Sequence, residues 1–280
     1  MQPSPASTRW QPHTAPPFIM GVLNITPDSF SDGGQYLDPS IARDRANDLH
    51  KNGADLVDIG GESTGPGSTP ISADQEWQRV APVVEALAPD LPLSLDTYHA
   101  ATARRGLEAG VACINDVSAG RADPGMIPCL AGSGALYVMT FAKDSPLPHA
   151  SDQPRTYPDV TGHLAAFFQE RIETCLKAGI AAEQLVVDPG LGRFVSADPE
   201  YSWRILEGIG RLIEAVAPVP LMIGASRKGF LGGKLAERDP ISQHVALLMA
   251  AQGAQFIRTH DIVMARQFLA ASRRLGLIPG

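Results

Sequence analysis

The chain has 280 residues, of which 44% are hydrophobic, and its 23 lysines and arginines against 30 aspartates and glutamates give a formal net charge of −7. This acidic balance argues against nucleic-acid binding, which needs a basic surface to displace counterions. No apolar run reaches the roughly 18 residues that span a bilayer, and the N-terminus lacks a signal pattern. The three cysteines are too few for a disulfide framework. We therefore expect a cytoplasmic protein that binds neither nucleic acid nor membrane.

Residues 1–17 are rich in proline and show no apolar periodicity. Proline removes a backbone donor and blocks helix formation, so this segment is predicted to be a flexible tail or an arm lying over the body. The remaining residues, 18–280, show no internal repeat or break in composition and are predicted to form a single domain.

From Phe18 onward, short apolar runs alternate with stretches of helical periodicity. Most of the runs are continuously apolar, which is typical of strands buried on both faces of a parallel sheet. Strands are predicted at 18–25, 55–60, 91–96, 112–116, 135–140, 184–188, 220–224 and 255–260. Helices are predicted at 38–52, 72–88, 98–109, 160–178, 199–216, 240–252 and 261–275, with a weaker one at 124–132.

Eight strand–helix units predict an α/β fold, a single (β/α)8 TIM barrel. A doubly wound open sheet is the alternative, but the turn after the first strand reads NITPDSFSDGG and lacks the glycine fingerprint of that fold. The phosphate loop GxxxxGK[ST] and the metalloprotease motif HExxH are both absent from the sequence.

Polar side chains follow nearly every predicted strand, at the end where β/α barrels build their active sites. Taken singly, each could cap a helix, form a turn or satisfy a packed polar group. Such explanations would have to hold independently at almost every strand, so we predict a site for a polar ligand. The residues are Asn24, Glu62, Ser63, Thr64, Asp96, Asn115, Asp116, Met139, Thr140, Asp188, Ser226, Arg227, Lys228, Arg258 and His260.

The chemistry of these residues suggests what the ligand is. Asp96, Asn115 and Asp188 can accept from and donate to a planar heterocycle rich in amino and ring N–H groups. A second group, which comprises Lys228, Arg258 and His260, forms an anion pocket on the last two strands, where barrels commonly hold phosphate. Asn24 offers an oxygen to Mg²⁺. Two long loops, 26–36 and 62–71, could close over the reaction. We therefore predict a heterocycle, a pyrophosphate and Mg²⁺.

Several long motifs of this chain are similar to those of the dihydropteroate synthase family, the sulfonamide target of folate biosynthesis. They run from about Phe18 to Leu275. They read IMGVLNITPDSFSDGG (19–34), DIGGEST (58–64), LSLDT (93–97), INDVSAG (114–120), VVDPGLG (186–192), GASRKGFLG (224–232) and RTHD (258–261). The resemblance implies a barrel, usually a homodimer, that condenses 6-hydroxymethyl-7,8-dihydropterin pyrophosphate with p-aminobenzoate and is inhibited by sulfonamides.

The resemblance also implies residue roles. Carried over, it gives a pterin pocket of Asp96, Asn115, Asp188, Lys228, Met139 and Phe194, with Arg193 as an alternative to Phe194 for stacking. The pyrophosphate would be held by Ser63, Thr64, Arg258 and His260, and Mg²⁺ by Asn24. The p-aminobenzoate would be covered by Phe30 and Gly229. The catalytic set would be Asp96, Asp188, Lys228, Asp28 and Asp32, acting in a dissociative C–N bond formation.

The chain departs from the family pattern at four places. Gly65 replaces an anion-binding arginine, and Arg193-Phe194 replaces the usual aromatic-glycine-lysine segment. Thr140 replaces a histidine, and Gly229 stands where serine is frequent. These changes leave open a second hypothesis, a pterin-binding paralogue that condenses poorly, for which Gly65→Arg should raise turnover. A third, a pterin-dependent methyltransferase, is disfavoured by the motifs around Asn24 and Thr64.

Overall fold

The computed structural model describes residues 17–26, 39–65, 67–146 and 150–278. All eight predicted strands are present. They are β1 (Phe18–Asn24), β2 (Leu56–Gly60), β3 (Leu93–Asp96), β4 (Cys113–Asp116), β5 (Leu136–Thr140), β6 (Leu185–Asp188), β7 (Met222–Ile223) and β8 (Phe256–Thr259). They are parallel, in the order β6-β5-β4-β3-β2-β1-β8-β7, and a bridge between Val187 and Leu221 joins the two ends. The predicted barrel is confirmed. The predicted tail lies outside the described residues except for Pro17.

Helices of the described residues connect the strands on the outside of the barrel. They are α1 (Pro39–Lys51), α2 (Ala73–Leu87), α3 (Ala100–Ala109), α4 (Met126–Leu130), α5 (Val160–Lys177), α6 (Glu200–Glu207), α7 (Ile209–Val216), α8 (Leu235–Ala251) and α9 (Ile262–Arg274). Across the part of the chain that is described, no helix has the length and apolar character needed to cross a membrane.

Two helical boundaries differ from the sequence prediction. The single helix predicted over 199–216 is two, α6 and α7, which meet at Gly208. The backbone of Gly208 packs so closely on Thr161 of α5 that a side chain there would collide. α8 begins five residues before the predicted position 240. The Glu237 carboxylate accepts from the Lys234 backbone N–H at 2.7 Å and stabilises the earlier start.

Side chains of the strands alternate between the two faces of the barrel wall. One face packs against the helices in the main hydrophobic core, and the other fills the barrel interior. The interior cluster consists of Phe18, Met20, Leu56, Cys113, Leu136, Val138, Val186, Met222 and Phe256.

Polar residues stand two positions further along four of these strands, on the same face. Leu56 is followed by Asp58, Cys113 by Asn115, Val186 by Asp188 and Phe256 by Arg258. The interior therefore changes from apolar to charged toward the carboxyl ends of the strands. This change places the polar residues of the strands at one mouth of the barrel.

Candidate active site

A buried arginine joins two acids in the centre of the barrel mouth. Arg258 donates from Nε to Asp58 Oδ2 at 2.7 Å and from Nη2 to Asp96 Oδ2 at 2.8 Å. Asn115 Nδ2 donates to the same Asp58 oxygen at 3.0 Å. We call Asp58, Asp96, Asn115 and Arg258 the charge cluster. Its four members come from β2, β3, β4 and β8, so side chains of four strands meet in the cluster.

Burial and charge act against each other within the charge cluster. Burial raises the pKa of Asp96 to about 7, although Arg258 opposes the shift. Burial alone would lower the pKa of the Arg258 guanidinium, but Asp58 and Asp96 hold it above its usual value. The fully buried Asp58 Oδ1 has no hydrogen-bond partner among the described residues. Near neutral pH the cluster thus holds a charged arginine between carboxylates, one of which titrates in this range.

A second acid–base pair lies beside the charge cluster, at the ends of β6 and β7. Asp188 Oδ1 accepts from the Gly190 N–H at 2.8 Å, and Lys228 Nζ donates to the Leu191 carbonyl at 2.7 Å. Burial raises the pKa of Asp188 and lowers that of Lys228 to about 8, each opposed by the other's charge. Lys228 Nζ also lies 5.1 Å from the centre of the Phe194 ring. An aromatic face, an ammonium and a carboxylate together suit a flat polar heterocycle.

His260 lies on the other side of the mouth, paired with a serine. Its Nδ1 is 2.9 Å from Ser226 Oγ. Burial, with Arg227 and Arg258 nearby, lowers the pKa of His260 to about 4. The imidazole is therefore neutral at neutral pH. It can contribute hydrogen bonds to an anion but not a full positive charge.

Asn24 ends β1 with an exposed side chain, and its Oδ1 lies near Gly60. Its side chain makes no hydrogen bond to the described residues, which leaves a hard oxygen donor at the mouth. The described residues contain no group of three or more His, Cys, Asp and Glu side chains placed to hold a metal. A divalent cation here would need most of its ligands from a substrate and water, as Mg²⁺ often does.

The loop that carries Ser63 and Thr64 is anchored on both sides. Glu62 accepts from the Tyr98 hydroxyl at 2.7 Å and lies 3.3 Å from His99 Nε2. Burial would raise the pKa of Glu62, but the bonds from His99 and Tyr98 hold it below its usual value. On the far side, the Ala150 N–H donates to the Thr64 carbonyl at 3.0 Å. The two hydroxyl groups are therefore presented from a fixed segment.

A cavity of about 480 Å³ opens next to Lys228 and Phe194. Besides these two residues, its lining includes Gly65, Arg193, Gly229 and Arg238. Volumes of this size hold small organic ligands. The wall of the cavity has space at Gly65 and Gly229, since a Cβ added to either glycine would meet its neighbours only at ordinary van der Waals distances.

The structure brings most of the predicted site residues to one mouth. Those that lie on it or line the adjoining cavity are Asn24, Ser63, Thr64, Asp96, Asn115, Asp188, Phe194, Lys228, Gly229, Arg258 and His260. Asp28, Phe30 and Asp32 lie outside the described residues. Arg193 stands at the cavity in an ion pair with Asp152, whereas the Phe194 ring lies beside Lys228.

The predicted pocket role of Met139 needs a correction. Met139 is fully buried on the helix-facing side of β5, and its sulfur is 3.6 Å from Cys175 Sγ of α5. Strand alternation turns its neighbour Thr140 inward instead, in register with Asp188. The resemblance placed a methionine at this strand end, but the side chain packs in the hydrophobic core.

Asp58 is not among the residues predicted from the sequence. It is the centre of the charge cluster, bonded to both Arg258 and Asn115. The sequence did contain a signal for Asp58, because a charged residue inside a strand buried on both faces must find a partner. The anchoring of Glu62 by Tyr98 and His99 left no comparable signal, since these residues are 36 and 37 positions apart.

Comparison with known proteins points to one family. The family model described as "Pterin binding enzyme" matches residues 20–260. A type-2 dihydropteroate synthase of Escherichia coli is 42% identical over 259 residues, which cover 90% of this chain and 93% of that protein.

Solved structures agree in fold over nearly the whole chain. The dihydropteroate synthase of Xanthomonas albilineans with 4-aminobenzoic acid is 35% identical, covers 94% of both chains and has a TM-score of 0.85. The enzyme of Yersinia pestis in a sulfonamide drug complex is 35% identical and covers 93% of this chain and 94% of its own, with a TM-score of 0.84.

Replacing Arg258 with alanine should destabilise the fold strongly. It leaves Asp58 and Asp96 buried without a cation, which costs about 3–5 kcal/mol for a buried pair. Urea denaturation measures this loss in the free energy of unfolding. The loss should shrink as the pH falls and Asp96, whose pKa is raised by burial, takes up a proton. Arg105→Ala, which breaks an exposed ion pair with Asp74, is the control and should cost under about 1 kcal/mol. Equal losses in the two variants would contradict the role of Arg258.

Proposed function

This chain belongs to the pterin-binding enzyme family as a dihydropteroate synthase, and we propose that its barrel mouth joins a dihydropterin pyrophosphate to an arylamine. The substrates are 6-hydroxymethyl-7,8-dihydropterin pyrophosphate and p-aminobenzoate, and the products are 7,8-dihydropteroate and pyrophosphate. One observation carries this assignment: a buried cluster of acids and an amide adjoins a cavity lined by cations. The first suits the N–H groups of a pterin, and the second suits anions. The E. coli and X. albilineans relatives make the same assignment by sequence and by fold.

The pterin is proposed to bind over the charge cluster. Its amino and ring N–H groups would donate to the Asp96 and Asp188 carboxylates, while Asn115 can both donate and accept. Asn115 and Asp96 are held in place by the Asp58–Arg258 pair, so they need no reordering on binding. Phe194 would cover one face of the ring, with Lys228 at its edge.

The reaction would start with departure of the pyrophosphate. The C–O bond of the hydroxymethyl group breaks, and both electrons leave with the pyrophosphate. The remaining pterin methylene cation is stabilised by Asp96 and Asp188, which accept N–H bonds from the ring. The arylamine nitrogen then attacks the methylene carbon and loses a proton. The C–N bond of dihydropteroate is thereby formed without a covalent enzyme intermediate.

Charge on the departing pyrophosphate would be met by groups at the rim. Lys228 supplies an ammonium, and Ser63 and Thr64 supply hydroxyl donors from the anchored loop. Two of the five N–H donors of Arg258 are bonded to Asp58 and Asp96, so three remain for the pyrophosphate. Neutral His260 adds a hydrogen bond rather than a charge.

Mg²⁺ is part of this proposal. Asn24 Oδ1 would bind it together with phosphate oxygens of the substrate, which fits the single exposed oxygen at this strand end. When bound, the cation offsets negative charge on the pyrophosphate. A cytoplasmic location, where the three free cysteines would stay reduced, also belongs to the proposal. So does inhibition by sulfonamides, since the Y. pestis relative has been solved as a sulfonamide complex.

We propose that the protein is a homodimer formed through α8 and α9. These helices pack on each other and leave large apolar side chains exposed, namely Leu235, Ile241 and Leu248 on α8 and Val263 on α9. Apolar surface of this kind favours burial between subunits. Sedimentation equilibrium should give about twice the chain mass of 29.7 kDa. Leu248→Lys should weaken the dimer and lower the measured mass toward that of a single chain. A wild-type protein that sediments at the chain mass would contradict the proposal.

A product assay tests the function. With Mg²⁺ and the dihydropterin pyrophosphate, adding p-aminobenzoate should yield dihydropteroate and pyrophosphate in equal amounts. Pyrophosphate without dihydropteroate would mean that the leaving group departs but arylamine capture fails. Pterin binding without either product would favour the poorly condensing paralogue, a hypothesis that the relatives do not support.

Two substitutions should remove pterin binding without unfolding the protein. Asp96→Asn keeps the shape of the side chain but loses the negative charge that favours the pterin N–H groups, and Lys228→Ala removes the ammonium beside Phe194. We expect each to weaken binding of the dihydropterin pyrophosphate about 100-fold in calorimetric titration, equivalent to about 3 kcal/mol. Lys177→Ala, on an exposed i,i+4 pair of α5, is the control. Near-normal affinity in either site variant would show that the pterin binds elsewhere.

A further inference from the structure

The cavity beside Lys228 is lined by side chains of one sign. Its charged lining residues are Arg193, Lys228 and Arg238, and no aspartate or glutamate of the described residues lines it. Its neighbour, the charge cluster, carries two carboxylates around one guanidinium. The mouth is therefore divided into an acidic floor and a cationic side cavity. A ligand with a heterocyclic end and a separate anionic end would lie along this division.

Two of the three cations already have fixed partners. Arg238 donates to the backbone carbonyls of Arg227, Gly232 and Gly233, which shape the segment after Lys228. Lys228 is bonded to the Leu191 carbonyl and lies over Phe194. Arg238 is thus committed to the local structure, and Lys228 serves the pterin and the pyrophosphate in the proposed function. The remaining cation is Arg193.

Arg193 combines a fixed position with unused donors. It belongs to a 3-10 turn over Gly192–Phe194, and its Nη1 lies 3.8 Å from the position that a Cβ on Gly229 would take. Its Nε pairs with Asp152, whereas its two Nη atoms make no hydrogen bond within the described residues. Both partners are at least half exposed, at 50% and 63%. An ion pair this exposed contributes little and can be exchanged for another carboxylate.

We propose that Arg193 recognises the carboxylate of the arylamine substrate, and that Asp152 holds the guanidinium until that substrate arrives. The inference rests on the proposed function and names the residue that makes the second subsite selective for an anion. In p-aminobenzoate the amine and the carboxylate stand at opposite ends of the ring. With the carboxylate at Arg193, the amine points toward Phe194 and Lys228, where the pterin methylene would lie. Arg193 therefore selects and orients this substrate.

Steady-state kinetics with two arylamines test the inference. p-Aminobenzoate carries the carboxylate, and p-aminobenzamide replaces it with an uncharged group of similar size. Arg193→Ala should raise the KM for p-aminobenzoate about tenfold, as expected for loss of one exposed charge-assisted contact. The KM for p-aminobenzamide and the KM for the pterin substrate should not change. Lys177→Ala, which removes one positive charge from the far end of α5, is the control for net charge.

Asp152→Ala tests the second half of the inference. Removing the competing carboxylate should lower the KM for p-aminobenzoate and leave that for p-aminobenzamide unchanged. If Asp152 instead served to position Arg193, the KM for p-aminobenzoate would rise in this variant. That rise would contradict the proposed exchange.

A relocated guanidinium provides a rescue experiment. Gly65 lines the same cavity, and a side chain there would first meet Ser63 Oγ at 3.6 Å, an ordinary contact. Adding Gly65→Arg to Arg193→Ala should recover part of the lost preference for p-aminobenzoate. The ratio of the KM for p-aminobenzoate to the KM for p-aminobenzamide could be the same in Arg193→Ala as in the wild type. If the wild type makes dihydropteroate, that result would overturn this inference but not the proposed function. A wild type that makes none from either arylamine would overturn the proposed function and this inference with it.

Discussion

The Arg258 bridge between Asp58 and Asp96 is the interaction on which the rest of the site depends. A barrel interior is an expensive place for carboxylates, because burial removes them from water. Two acids and an amide can stand there only because one guanidinium reaches across from β8 to β2 and β3. Burial and the neighbouring acids still raise the pKa of Asp96, and the charge of Arg258 opposes this rise without cancelling it. The buried carboxylates lower the stability of the fold locally, and they present oriented hydrogen-bond acceptors at the mouth.

This constraint determines which part of the mouth binds the pterin and which part binds anions. The guanidinium that neutralises the floor cannot also serve fully as an anion receptor, so anion binding shifts to the rim. There the donors are the ammonium of Lys228, the hydroxyls of the anchored Ser63–Thr64 segment and the side cavity with Arg193. His260 stays neutral because burial, together with the nearby Arg227 and Arg258, disfavours its protonation. A pterin cation formed over the floor and a pyrophosphate leaving at the rim would each meet the opposite charge.

The fold could be predicted from the sequence because its strands are continuous apolar runs and its helices are periodic. Asp96, Asn115, Asp188 and Lys228 could be found for the same reason, since each stands at or shortly after the end of such a run. The sequence did not reveal features that depend on residues far apart along the chain. The packing of Gly208 on Thr161, the outward face of Met139 and the anchoring of Glu62 by Tyr98 and His99 all depend on contacts between distant segments. Asp58 was missed although its burial within a strand demanded a partner.

A crystal structure of the protein with 7,8-dihydropteroate bound would test the central claim most directly. The account predicts the pterin ring over the charge cluster, within hydrogen-bond distance of Asp96, Asn115 and Asp188. It further predicts that the benzoate carboxylate replaces Asp152 at the Arg193 guanidinium. A pterin ring bound away from Asp96 would contradict the assignment of the floor. A benzoate carboxylate that points away from Arg193, with the Asp152 pair intact, would contradict the division of the mouth into an acidic floor and a cationic cavity.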